Sequence, residues 1–275
     1  MSGDRIATVF AGLGGRAALV TFVCGGDPSP EATPAILEAL VRGGADIIEL
    51  GVPFTDPMAD GPSIQAGNLR ALGSGVSLAK LIAIVAAFRA DNGETPVVLM
   101  GYVNPVLAYG VDRFARDASA AGVDGVILVD LPPEEAGEVA APLAAEGLHL
   151  IRLATPTTDD RRLPAVLQGA SGFLYHVAVA GVTGAKSAAE AEIAAAVARL
   201  KAAATMPVAV GFGVRTPEQA ARVARHADAV VVGSAIVDLV GEAHARQSND
   251  LAGEVEAFVA RLADAVRDAR QELAA

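Results

Sequence analysis

Eight short runs rich in β-branched residues start near Leu19, Ile47, Val97, Gly125, His149, Phe173, Val208 and Ala229, and longer segments of helical period separate them. A chain that alternates in this way must return over its sheet after each strand, which makes the strands parallel and covers both faces. The runs fit that demand, because each is nearly continuously apolar, as strands buried on both sides must be. Eight units with no composition break and no flexible linker predict a closed TIM (β/α)8 barrel, an α/β fold in one domain over residues 1–275. An open doubly wound sheet is the alternative.

Apolar spacing places the helices. Leu78, Leu81, Ile82, Val85 and Phe88 recur at i, i+3, i+4, i+7, and Val255, Phe258, Leu262 and Val266 repeat the stripe near the end of the chain. Asp112, Asp159 and Thr216-Pro217-Glu218 read as helix starts, and Gly43-Gly44 and Gly122 as stops. Asp4 to Leu13 reads as an extra N-terminal helix over one end of the barrel. The intervals from Ile47 to Val97 and from Phe173 to Val208, 50 and 35 residues, exceed the others. Such insertions are usually binding loops or lids, and in a barrel these two would lie on the catalytic face.

The chain has 21 Lys and Arg against 32 Asp and Glu, a formal net charge of −11. That balance opposes nucleic-acid or anionic-membrane binding, so any bound phosphate has to be held by local geometry. Hydrophobic residues make up 52% of the chain, with a mean hydropathy of +0.43, which supplies a large core. Every apolar segment is interrupted short of the roughly 18 residues that a membrane helix needs. Asp4 before the apolar stretch from Ile6, and Arg16 after it, argue against a secretion signal. A single cysteine, Cys24, fits a reducing compartment, and a cytoplasmic location is expected.

Chemistry concentrates at strand ends. Glu49 lies in the apolar run Ile47-Ile48-Glu49-Leu50-Gly51, at the end of the strand where barrel active sites sit. Burial would disfavour its charge and let it hold or release a proton near neutral pH; a structural carboxylate with a backbone or Arg partner is the competing reading. The following loop, Val52 to Pro62, holds Asp56 and Asp60 among three prolines. Asp60 could fold back over the barrel mouth as a second carboxylate, although both acids also sit in turn-forming Asp-Pro and Asp-Gly pairs. Gly181-Val182-Thr183-Gly184, Gly211-Phe212-Gly213 and Gly233-Ser234-Ala235 end the last three strands. With a short helix starting at Ser234, they suit a phosphate held by backbone amides. Only three lysines are present and only Lys186 is placed for a Schiff base; the four histidines show no metal-ligand spacing, so no metal is expected. His176 alternates with Tyr175 and reads as a core histidine, with Tyr175 facing the barrel interior.

The run Ile48-Glu49-Leu50-Gly51-Val52-Pro53-Phe54-Thr55-Asp56-Pro57-Met58-Ala59-Asp60-Gly61-Pro62 resembles the signature of the tryptophan synthase alpha subunit family. The similarity extends through Phe22 with Gly26-Asp27-Pro28, Asn104-Pro105, Asp130-Leu131-Pro132 and the three glycine clusters, over essentially the whole chain. The resemblance implies a lyase that splits indole-3-glycerol phosphate into indole and glyceraldehyde 3-phosphate by a retro-aldol step, without a cofactor in this chain. It implies Glu49 as the acid/base and Asp60 as its partner carboxylate. Phe22, Tyr175 and Phe212 would surround the indole, Gly184, Gly213, Gly233 and Ser234 would hold the phosphate, and Thr183 would lie on a closing lid and meet Asp60. It further implies an α2β2 assembly with a β subunit that carries pyridoxal phosphate and turns indole into tryptophan, with Asp56 and the loop around Asn104 facing that partner. Ala178 departs from the family, which often has Ser there. Two other readings stay open on the residues alone: another phosphate-binding barrel such as a sugar-phosphate isomerase or epimerase, and a regulatory barrel that only activates a partner.

Overall fold

The computed structural model describes residues 3–178, 186–211 and 213–270. Eight parallel strands close into a barrel in chain order: β1 (Ala18–Cys24), β2 (Ile47–Gly51), β3 (Val97–Gly101), β4 (Gly125–Leu128), β5 (His149–Ala154), β6 (Leu174–Val177), β7 (Val208–Gly211) and β8 (Ala229–Val232), with β8 pairing back onto β1. Six strands start at the expected residue; β1 starts one residue earlier than Leu19 and β6 one later than Phe173.

The two-residue period sorts each strand into two cores. Val20, Ile47, Val98, Ile127, Ile151 and Tyr175 fill the barrel, while Leu19, Ile48, Leu50, Leu99, Leu150 and Val210 face the helices. Helix α1 (Arg5–Gly12), capped by Asp4, closes the end where the strands begin: Ile6 is fully buried against the inner core and Phe10 stacks on Phe173 at 6.2 Å.

The helices α2 (Thr33–Arg42), α3 (Pro62–Gly73) and α4 (Leu78–Asp91) follow β1 and β2, and the α4 stripe is buried as its spacing predicts. Thus the long interval after β2 is filled by the loop 52–61 and the extra helix α3. Helices α5 (Val103–Tyr109) and α6 (Val111–Ala120) follow β3, α7 (Gly137–Ala145) follows β4, and α8 (Leu163–Leu167) follows β5. The long interval after β6 leads into α9 (Lys186–Ala203), ahead of α10 (Pro217–Ala224) after β7. Helix α11 (Ser234–Ala245) starts at Ser234 as expected but runs for 12 residues, so it is not short, and α12 (Leu251–Asp268) completes the ring.

Three local expectations need correction. Asp112 lies in the first turn of α6, where its charge suits the helix dipole, but Gly110, at φ 90°, is the cap. Asp159 accepts the amides of Arg161 and Arg162 in the turn that leads into α8, so it precedes the helix by a turn. In α12 the buried stripe uses Val259, and Phe258 is only half-buried. The start of α10 is as read: Thr216 and Gln219 form a reciprocal capping box with Pro217 in the first turn. Among the described residues no single helix is long and apolar enough to cross a membrane.

Candidate active site

Strand β2 aims Glu49 into the barrel. Ile48 and Leu50 face the helices, so Glu49 shares the inward side with Ile47 and stands level with Phe22 on β1 and Val98 on β3. The side chain is fully buried, and neither carboxyl oxygen has a hydrogen-bond partner among the described residues. With nothing to stabilise its charge, burial raises its pKa from 4.5 to about 8. The competing reading, a carboxylate paired with a backbone group or an arginine, finds no partner there.

Tyr175 enters the same space from β6, as its alternation with His176 predicts. Burial pushes its hydroxyl well above the ordinary tyrosine range, and the charge of Glu49 adds to the effect. Gly211 makes room for it: a Cβ there would lie 2.2 Å from the Tyr175 oxygen. His176 faces the other way, buried, with Nδ1 3.2 Å from the Ala154 carbonyl oxygen. Phe22 is buried at the mouth with Cys24 and Val237, and Gly51 grants it space, since a Cβ there would meet its ring at 2.6 Å.

Asp60 reaches the mouth from the loop between β2 and α3. Its backbone amide donates to the Pro57 carbonyl at 3.1 Å, and its own carbonyl accepts from Gln65 Nε2 at 2.8 Å. Asn68 Nδ2 donates to Asp60 Oδ2 at 3.1 Å. Burial raises the Asp60 pKa from its ordinary value, while Asn68 and Tyr102 oppose the rise. Sequence reasoning missed both of these neighbours. It also missed the pair that anchors α3 beneath the loop, Arg70 with its two 2.8 Å bonds to the buried Asp27. These contacts join residues 8 to 43 positions apart, a separation at which no local pattern announces them.

The phosphate-binding expectation falls on two described elements. Gly233 caps α11 and Ser234 opens it; the first helical bonds run from the Ile236 and Val237 amides to the Gly233 carbonyl, so the Ser234 and Ala235 amides come before the ladder and are available to an anion. Gly213 adopts φ +80°, a conformation that favours glycine, on the exposed rim after β7. Thr183, Gly184 and Phe212 lie outside the described residues. Ala178 is half-buried and donates its amide to the Gly211 carbonyl at 3.0 Å.

Asp56 and Asn104 are both exposed on the rim and do not approach the barrel interior. They accompany two of the few large apolar side chains left in water, Met58 at 79% and Leu107 at 50% exposure. Tyr102, which precedes α5, links this rim to the mouth: its ring packs 5.1 Å from Phe54, and its hydroxyl accepts the Ala59 amide at 3.0 Å. Asp130, after β4, fixes the start of α5 by accepting the Val103 amide at 2.8 Å. Among the described residues no group of three His, Cys, Asp or Glu side chains could hold a metal ion.

Residues 11–267 match the family described as tryptophan synthase alpha chain. A tryptophan synthase alpha chain of Novosphingobium aromaticivorans is 62% identical over 270 residues, covering 98% of this chain and 99% of the other. That of a Caulobacter species is 55% identical over 276 residues and the full length of both. Among solved structures, tryptophan synthase subunit alpha from Legionella pneumophila superposes with a TM-score of 0.89 at 40% identity, over 96% of this chain and 99% of that one. A tryptophan synthase structure from Mycobacterium tuberculosis gives 0.85 at 41%, over 96% and 98%. A fold likeness alone would leave the family open, but identity of this order over the full length does not: the chain belongs to the tryptophan synthase alpha chain family.

Proposed function

We propose that the chain cleaves indole-3-glycerol phosphate to indole and glyceraldehyde 3-phosphate, the lyase reaction of its family, with Glu49 and Asp60 dividing the work. The observation that carries the residue assignment is Glu49, buried inside the barrel without a partner and with a pKa near 8. As an acid near neutral pH it delivers a proton to indole C3, which turns the ring into a leaving group. The hydroxyl on the glycerol carbon bonded to the ring then gives its proton to the Glu49 carboxylate so formed, its oxygen forms the aldehyde, and the carbon–carbon bond breaks toward the ring. Aromatic indole is restored as its nitrogen gives up the positive charge. Asp60 faces that charge as a carboxylate, and each transfer uses a group already in place.

Phe22 and Tyr175 line the indole, with Phe212 as a further wall. Gly213, Gly233 and Ser234 hold the phosphate together with Gly184, and neutral amides at the α11 terminus suit a dianion in an acidic protein. Thr183 closes over the site and meets Asp60. The reaction needs no cofactor in this chain.

As a tryptophan synthase alpha chain it works with a β subunit. The proposed assembly is α2β2 in the cytoplasm, the β subunit holds pyridoxal phosphate, and Asp56 and Asn104 on the apolar rim meet it. The test is indole release from indole-3-glycerol phosphate, with and without β subunit, by wild type and Glu49→Gln. A loss of about a thousandfold with β binding retained is expected; no indole from wild type, or unchanged turnover of the variant, ends the reading.

A further inference from the structure

A carboxylate that stabilises charge in a transition state has to be aimed and ionised before the substrate arrives, and Asp60 sits on a loop rather than on a strand. Two neighbouring elements supply what the loop lacks. From α3, Asn68, only 4% exposed, donates to Oδ2 at 3.1 Å. From the end of β3, Tyr102, 2% exposed, accepts the amide of the preceding residue, Ala59, at 3.0 Å. That bond pins the loop one residue before Asp60, so the phenol oxygen fixes the backbone from which the carboxylate is aimed.

We infer that Asn68 and Tyr102 are positioning residues for Asp60: Asn68 holds its carboxylate and Tyr102 holds the backbone beside it, so that the charge is aimed before the substrate arrives. The inference rests on the reading of Asp60 as the partner carboxylate.

The surroundings support holding by neutral groups. The Tyr102 hydroxyl and the buried Cys24 thiol feel the Asp60 charge, with Asp130 acting on Tyr102 from beyond and Arg70, on the same helix as Asn68, paired with Asp27. Burial raises the Asp60 pKa from its ordinary value, and the Asn68 hydrogen bond works against the rise. Gln65 holds only the backbone carbonyl, so it fixes the chain and leaves the charge alone.

The experiment measures indole release across pH by the α–β complex with Asn68→Leu, Tyr102→Phe and Asp60→Asn. With little change in volume, the first removes a donor to the carboxylate and the second an acceptor for the Ala59 amide. Asn68→Leu is expected to lower kcat by about tenfold or more, the worth of a hydrogen bond to a charged group, and Tyr102→Phe by about threefold or more, the worth of a neutral one, each with KM changed by less than about twofold. The acid limb of the kcat profile moves to higher pH in Asn68→Leu, because the ionised form has lost a donor. In an Asp60→Asn background Asn68→Leu produces no further fall. A lower melting temperature with kcat unchanged means a merely structural role and overturns the inference, and the kcat of Tyr102→Phe, whose ring still packs on Phe54, decides the matter if Asn68→Leu does not fold. Wild-type kinetics in Asp60→Asn itself refutes the reading of Asp60. Loss of activity there with unchanged Asn68→Leu and Tyr102→Phe refutes the positioning role alone.

Discussion

Replacing Glu49 with Gln keeps the shape of the side chain and removes its titration, so the stability difference between the two proteins reads the burial of the carboxyl directly. The folded pKa is about 8 and the ordinary value 4.5. Because the fold favours the protonated form, Glu49 costs nothing below the ordinary range, and its cost grows as pH rises and levels off above the folded value. At about 1.36 kcal/mol per pH unit, the full interval corresponds to about 5 kcal/mol. Linkage then gives a penalty of about 1 kcal/mol at pH 5, about 3 kcal/mol at pH 7 and about 5 kcal/mol at pH 9. Whatever the uncharged Gln amide costs in the same pocket is constant with pH. Urea denaturation of wild type and Glu49→Gln at these three pH values should therefore show the variant gaining relative stability by about 4 kcal/mol from pH 5 to pH 9. A gap that stays flat across that range would mean that the carboxyl is solvated or paired in the folded protein, and the argument for its role as an acid would fall.

Other consequences follow from the same geometry. Asp60→Asn retains shape and removes charge, and indole release should fall by about a hundredfold in the complex; turnover equal to wild type contradicts the electrostatic role. Gly211→Ala places a methyl group 2.2 Å from the Tyr175 oxygen and should cost about 1–3 kcal/mol of stability as well as activity, read by thermal unfolding and indole assay together. Thr216→Ala removes one half of the α10 capping box, far from the chemistry, and should lower stability by about 1 kcal/mol with kcat unchanged.

The barrel was legible in the chain because its signal is local and repeated. A buried parallel strand has to be apolar on both faces, and the helices between have to show one apolar stripe each, so eight strand starts could be placed within a residue of where they lie. Glu49 was legible for the same reason, as the one carboxylate inside the eight strands. What escaped was whatever depends on backbone turns or on distant partners. Gly110 takes the cap that the nearby Asp112 suggested, because a positive φ leaves no trace in a polarity pattern. Asn68, Tyr102 and the Asp27–Arg70 pair had no distinguishing neighbours in sequence and became visible only once α3 and β3 were set beside the loop. The reaction itself came from resemblance, since no spacing of residues encodes an indole.

On the proposed reading, two acids of nearly equal intrinsic strength serve different ends because of the elements that carry them. In a closed parallel barrel the backbone amides around Glu49 are committed to the ladder, and the side chains level with it on the neighbouring strands, Phe22 and Val98, bring no donor. Nothing rewards the ionised form, and the group remains an acid. Asp60 stands on a loop, outside any ladder, where a helix can extend a donor to its carboxylate and the residue after a strand can hold the backbone beside it. Strand and loop thus give the two carboxyl groups different surroundings, one without a partner and one held by a donor, and on the proposed reading that difference divides the acid from the charge stabiliser.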